Sequence, residues 1–108
     1  MGVSKSHIFS EEQQQLAEVF KVLSNPARLA ILQYIASQES CICGEIVSEI
    51  GLAQATISQH LKEIKRIGLL KGNFTGPKLM YCIDTDRWNS IRNQFQDYFT
   101  LLETNNCK

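Results

Sequence analysis

Apolar residues recur at helical spacing through the first third of the chain. An i, i+3, i+4, i+7 stripe predicts a first amphipathic helix, with its core face formed by Leu16, Val19, Phe20 and Leu23. Ser10 and Gln13 precede this stripe with the spacing of a capping box. Asn25 followed by Pro26 predicts the start of a second helix, because asparagine caps well and proline fits the first turn. Ile31, Leu32 and Ile35 would share the apolar face of that helix, with Leu29 at its edge.

A second helical pair is separated by a glycine. A short helix carrying Ile46, Val47 and Ile50 is followed by Gly51, and a longer helix is predicted over residues 54–67. The longer helix has an apolar stripe made of Ile57, Leu61 and Ile64. Its opposite side has small and amide residues first and cations last, namely Ala55, Thr56, Gln59, Lys62 and Arg66. This pattern is typical of a DNA-recognition helix whose first part enters the major groove while its last part, with Lys62 and Arg66, contacts phosphates. An ordinary amphipathic surface helix would also show it.

A β-hairpin is predicted directly after the glycine that ends this helix, Gly68. Two β-prone runs between residues 69 and 83 flank the breaker Gly76-Pro77. Lys71 and Lys78 lie at the base and tip of the hairpin, where they would reach phosphates. A helix-turn-helix followed by a hairpin predicts a winged helix-turn-helix, a mainly α fold with a small β-hairpin wing (α+β).

A final helix is predicted from residues 84–86 to Glu103. Its stripe is strongly aromatic and consists of Trp88, Ile91, Phe95, Tyr98, Phe99 and Leu102. A chain of 108 residues has little core left for such a helix to cover. We therefore expect the first and last helices to form a homodimer interface, the alternative being that the last helix closes the monomer core. Residues 1–108 are expected to form one domain, with a flexible arm at 1–9 and a flexible tail at 103–108.

Charge is unevenly distributed although the formal net charge is zero. Residues 1–53 carry three cations and six anions (−3), residues 54–80 carry five and one (+4), and residues 81–108 carry three and four (−1). The positive charge is thus concentrated on the predicted recognition helix and wing, as a phosphate-facing surface requires.

The N-terminus lacks the apolar segment of a signal peptide, and no apolar run reaches transmembrane length. We therefore expect a cytoplasmic protein without membrane association, whose four cysteines are reduced and act as ligands, sensors or packing atoms and not as a disulfide framework. Cys82 alternates with Tyr81 and Ile83, so it is expected to face outward if those two residues face the core.

The sequence resembles the ArsR/SmtB family of winged-helix repressors. The resemblance rests on LSNPARLAIL at residues 23–32, TISQHL at 56–61 and a wing that closes on Tyr81, and it covers about residues 12–102. It implies a homodimer that binds a palindromic operator in double-stranded DNA until an inducer releases it. The resemblance also implies contacts to bases or nearby phosphates from Gln54, Thr56, Ser58, Gln59 and His60. Lys62 and the wing residues would hold the DNA backbone.

Cys41 and Cys43 occupy the position where arsenic and soft-metal sensors of this family carry Cys-x-Cys. Arsenite and antimonite bind three thiolates, which makes them the leading inducers. A third ligand would come from Cys82, Cys107 or the partner subunit. The alternatives are a redox or persulfide switch, a transition-metal site, cysteines that only fill space, and regulation without an inducer. No resident cofactor is required.

Two other function classes are disfavoured. An enzyme would need a nucleophile with a base and an orienting group, whereas both histidines, His7 and His60, lie outside any candidate pocket. A winged helix that binds only proteins would expose apolar or acidic residues on its recognition helix, and here that face is polar and cationic.

Overall fold

The computed structural model describes residues 8–39, 41, 46–73, 79–104 and 106. The elements in those ranges are α1 (Glu11–Leu23), α2 (Pro26–Ser37), α3 (Ile46–Ile50), α4 (Gln54–Arg66), β1 (Leu70–Asn73), β2 (Met80–Ile83) and α5 (Thr85–Leu102). The predicted mainly helical fold with a hairpin wing is confirmed.

Local hydrogen bonds fix where the first two helices begin. The Gln13 amide donates to Ser10 Oγ at 3.0 Å, and the Ser10 amide donates to Gln13 Oε1 at 2.9 Å, which is the predicted capping box. Asn25 Oδ1 accepts from the Ala27 amide at 2.8 Å and from the Arg28 amide at 3.3 Å. Pro26 stands at the first helical position, as expected.

The core lies where α1, α2, α3 and α4 meet the base of the wing. It is formed by Val19, Val22, Ile31, Leu32, Ile35, Ile46, Ile57, Leu61, Ile64, Ile67, Leu69, Leu70 and Ile91. The prediction for α1 was wrong at one position, because Phe20 is 41% exposed while Val22 is buried. Phe20 instead stacks on Phe95 of α5, with ring centroids 4.9 Å apart and planes 6° from parallel.

The wing is a two-stranded antiparallel sheet in which Lys71 pairs with Cys82 and Gly72 with Tyr81. Gly72 has φ +135°, and a Cβ atom there would overlap the backbone carbonyl of Met80. Only glycine therefore fits this close approach of the two strands. The predicted hairpin tip, including Gly76, Pro77 and Lys78, lies outside the described residues.

Helix α5 is long but poorly covered. It spans 18 residues, of which Ile91 is buried. Tyr98, Phe99, Leu101 and Leu102 are exposed. The radius of gyration is 16.6 Å, whereas a compact chain of this size has about 13 Å. The first half of the aromatic stripe, Trp88, Ile91 and Phe95, thus packs against the core, whereas its second half, Tyr98, Phe99 and Leu102, lies on the surface of the isolated chain.

Candidate nucleic-acid interface and thiol site

Helices α3 and α4 form the helix-turn-helix. The Gly51 amide donates to the Val47 carbonyl at 2.9 Å, and Gly51 adopts φ +86°, which ends α3 and turns the chain toward α4. At its other end α4 is closed by Gly68, whose amide donates to the Lys65 carbonyl while the Leu69 amide donates to the Ile64 carbonyl. These two bonds form a Schellman motif. The length and direction of the recognition helix thus follow from glycines at its two boundaries.

The two sides of α4 face different environments. Its predicted apolar stripe is buried, with Ile57 2%, Leu61 6% and Ile64 0% exposed. The polar residues on the other side are exposed, namely Gln54, Ala55, Thr56, Ser58, Gln59 and Lys62. Ala53 provides no side-chain cap, so the first amides of α4 are open to an external acceptor. This side presents amides, hydroxyls and a lysine on one rigid helix.

His60 lies at the edge of that face and is fixed by a residue of α2. Its Nδ1 atom accepts a hydrogen bond from Arg28 Nε at 3.1 Å, and Arg28 Nη1 donates to the Val22 carbonyl at 3.2 Å. Because arginine only donates, Nδ1 acts as the acceptor in this bond. His60 is therefore a half-buried link between α2 and α4, with one ring nitrogen already used.

Arg66 at the end of α4 forms ion pairs with two carboxylates. Its Nη2 atom lies 2.7 Å from Glu18 Oε1 of α1 and 3.1 Å from Glu63 Oε1. The hydrogen bond from Arg66 lowers the pKa of the Glu18 carboxyl. A phosphate would have to compete with these two carboxylates, which sets Arg66 apart from Lys62 among the predicted backbone contacts.

Arg28, Glu18 and Glu63 were not assigned a role from the sequence. The spacing of Glu63 and Arg66 on one helix could have indicated their ion pair. Nothing local indicates the contacts of Arg28 or Glu18, because their partners lie 32 and 48 residues away.

The wing places Lys71, a predicted phosphate contact, beside Cys82, a candidate metal ligand. Lys71 is exposed on β1 and lies directly opposite Cys82 in the antiparallel ladder. Residues paired in this way project from the same face of a sheet. Any change at Cys82 therefore occurs next to a lysine that is suited to contact the DNA backbone.

The cysteines are arranged differently from the expectation. Cys41, in the segment before α3, forms a disulfide with Cys82 of β2, with Cα atoms 4.6 Å apart. The expectation that no disulfide forms was therefore wrong for this pair. Tyr81 and Ile83 pack against the core, as the alternation argument supposed, whereas Cys82 between them is half-buried and bonded to Cys41. Cys43 and Cys107, the other candidate ligands, lie outside the described residues, and no group of three metal-ligating side chains occurs within them.

A helix-turn-helix with an adjoining hairpin defines the winged-helix fold, and comparisons with known proteins identify the class as transcriptional regulators. A helix-turn-helix domain model matches residues 23–73. An HTH-type transcriptional regulator of Methanocaldococcus jannaschii is 38% identical over 82 residues, covering 75% of this chain and 91% of that protein. The arsenical resistance operon repressor of Staphylococcus xylosus is 31% identical over 85 residues, covering 79% and 73%.

Solved structures share the fold. The ArsR-like transcriptional regulator from Rhodococcus sp. RHA1 superposes with a TM-score of 0.68 at 18% identity, covering 84% of this chain and 85% of that one. Rv0081 of Mycobacterium tuberculosis gives 0.62 at 26% identity, covering 88% and 96%.

The chain belongs to the ArsR/SmtB family of winged-helix transcriptional regulators. Such proteins are regulators and not enzymes, which agrees with the exclusion made from the sequence. Within the described ranges, no helix is long and apolar enough to cross a membrane.

Proposed function

We propose that the chain is a homodimeric repressor that places α4 of each subunit in the major groove of a palindromic operator. An inducer that binds the cysteines around Cys41 releases it. The observation that carries the proposal is the exposed amide, hydroxyl and lysine side of α4 beside the exposed Lys71 of the wing. A repressor acts where the DNA that it regulates lies, so we place this protein in the cytoplasm.

The DNA-reading role follows from the chemistry of that side. Gln59 is exposed on α4, and a glutamine amide can pair in a bidentate manner with the edge of adenine. Lys62 lies three residues further along the helix and supplies a point charge for a phosphate. Thr56 and Ser58 add short donors that fit a close approach to the groove wall.

The homodimer follows from the apolar surface on α1 and α5. Phe20, Phe95 and Phe99 form a continuous stack along these helices, with the last two ring centroids 6.2 Å apart. Leu101 and Leu102 extend the surface with 67% and 62% of each residue exposed. Self-association through this surface would present two recognition helices, which on an operator must lie about 34 Å apart.

Two substitutions on α4 test the DNA-reading role. Gln59→Ala should lower discrimination at one base pair in each half-site by about 1–3 kcal/mol, because alanine cannot form the bidentate pair with a base. Lys62→Ala should weaken binding to all sequences and reduce the salt slope by about 0.9 for each phosphate that is no longer neutralised. Both are measured by operator titration at several salt concentrations. The matched controls are Gln33→Ala on α2 and Lys21→Ala on α1, exposed residues of the same types on other helices. Unchanged discrimination in Gln59→Ala would contradict the assignment of this side to DNA.

The inducer proposed is arsenite or antimonite, held by the reduced thiolates of Cys41, Cys43 and Cys82. A trivalent arsenic centre takes three soft ligands, and Cys82 is close enough to Cys41 to contribute one. Related proteins include an arsenical resistance operon repressor and a cadmium resistance regulatory protein from Staphylococcus. Cys82 is preferred to Cys107 as the third ligand because its Cα atom lies only 4.6 Å from that of Cys41.

The inducer assignment is tested in a reducing buffer. A double variant with Cys41→Ser and Cys43→Ser should bind the operator normally and stay bound when arsenite is added. Cys107→Ser is the matched control and should be released as the wild type is. Release of the double variant by arsenite would refute the assignment. The disulfide between Cys41 and Cys82 favours a thiol redox response as the second candidate function.

A further inference from the structure

The disulfide joins the segment that leads into α3 to the wing. Cys41 lies between α2 and α3, and Cys82 lies in the wing strand β2, 41 residues later. Their Cα separation of 4.6 Å falls within the range of about 4.4–6.8 Å found for ordinary disulfides. The backbone thus holds the two cysteines in bonding position.

The covalent ring closed by this bond contains the whole DNA-reading unit. Residues 41–82 include α3, the turn, α4 and β1. With the bond in place, Gln59, Lys62 and Lys71 are still exposed. The oxidised chain therefore keeps its recognition face, and the bond restrains the wing relative to the segment that leads into α3.

We propose that the Cys41–Cys82 disulfide is a redox gate on induction. In the oxidised protein two of the three inducer ligands are tied up in the disulfide and cannot bind arsenite. The repressor therefore stays on its operator when arsenite is added. In the reduced protein the thiolates are free to bind arsenite, and the repressor can be released. This inference rests on the proposed function, since it assumes that the inducer needs both sulfur atoms.

The oxidant is a low-molecular-weight disulfide, such as oxidised glutathione. One cysteine thiolate attacks this disulfide, forming a mixed disulfide and releasing one small thiolate. The second cysteine thiolate attacks the protein sulfur of the mixed disulfide, and the second small thiolate leaves. In sum, two protein thiols lose two electrons and two protons, and one small disulfide is reduced to two thiols.

The 108-residue protein is treated with oxidised glutathione, and the glutathione is then removed. This oxidised protein is compared with protein that has been reduced by a phosphine. We expect the count of free thiols in denaturant to fall from four to two, and peptide mapping to recover a Cys41–Cys82 link. The operator complex of the oxidised protein should lose its response to arsenite concentrations that fully release the reduced protein. Cys107→Ser should form the same link and show the same loss of response.

Cys82→Ser provides an independent check, because it lacks the cysteine that completes the exchange. It should accumulate a mixed disulfide with glutathione at Cys41, visible as an increase in mass. The gate is refuted if wild-type protein forms a different link, keeps four free thiols, or responds equally to arsenite in both redox states. It is also refuted if the oxidised protein no longer binds the operator. Failure of the reduced protein to respond to arsenite would refute the proposed inducer instead, and thiol counting and peptide mapping would still report on the disulfide.

Discussion

Replacing Phe99 by alanine should weaken the proposed homodimer, because this side chain belongs to the uncovered apolar surface of α5. Phe99 is 52% exposed in the isolated chain and continues the ring stack of Phe20 and Phe95. If the partner subunit covers it, the substitution removes apolar area from both sides of a two-fold interface.

The magnitude follows from the exposed fraction. Full burial of a phenylalanine side chain contributes about 1.5–3 kcal/mol. Covering the 52% of Phe99 that is open would therefore contribute about 0.8–1.5 kcal/mol in each chain. Symmetry doubles this to about 1.5–3 kcal/mol for the dimer. The dimer dissociation constant should rise roughly 10- to 150-fold.

Sedimentation equilibrium over a range of protein concentrations measures that constant, and circular dichroism checks that the variant is folded. Leu52→Ala is the matched control, because Leu52 is also partly exposed, at 38%, but lies in the turn between α3 and α4. It should leave the dissociation constant unchanged. A folded Phe99→Ala variant with the wild-type constant would show that α5 does not form the interface.

Three further predictions concern the wing, a helix cap and an ion pair. Gly72→Ala should disrupt strand pairing at a cost of about 1–3 kcal/mol, since its Cβ would overlap the Met80 carbonyl; amide exchange should increase in the wing while helical dichroism is retained. Asn25→Ala should lower the free energy of unfolding in urea by about 1 kcal/mol, because two amides of α2 lose their acceptor. Arg66 lowers the pKa of Glu18, so the pair stabilises the folded state above the ordinary carboxyl pKa and this contribution disappears as pH falls through the lowered pKa. In Arg66→Gln the Glu18 titration followed by NMR should move back toward its ordinary value, and an unmoved titration would contradict this account.

Sequence patterns identified the elements reliably because their boundaries depend on short-range bonds. The cap of α1 links residues three apart, and that of α2 links Asn25 to amides two and three residues later. The glycine at the end of α4 and the alternation of buried and exposed residues along it are equally local. These features were sufficient to predict a winged helix and to choose the side of α4 that is exposed.

The same patterns failed where an element meets another from far along the chain. The helical spacing of apolar residues assigned Phe20 to the core. In the structure Phe20 instead stacks on Phe95 where α1 meets α5, and Val22 is buried in the core. Likewise, the aromatic stripe of α5 predicted a covered helix but left two possible partners, a second subunit or the core of the same chain. Periodicity gives the width of an apolar face and not the identity of its partner.

Tertiary structure alone decided which predicted site residues are already engaged. His60 is bonded to Arg28, Arg66 to Glu18, and Cys41 to Cys82, across 32, 48 and 41 residues of sequence. Residue type and spacing identify groups able to bind DNA or a soft metal. Whether each group is free to do so depends on how the helices and wing cross, because those crossings place arginines, carboxylates and thiols within bonding distance of one another.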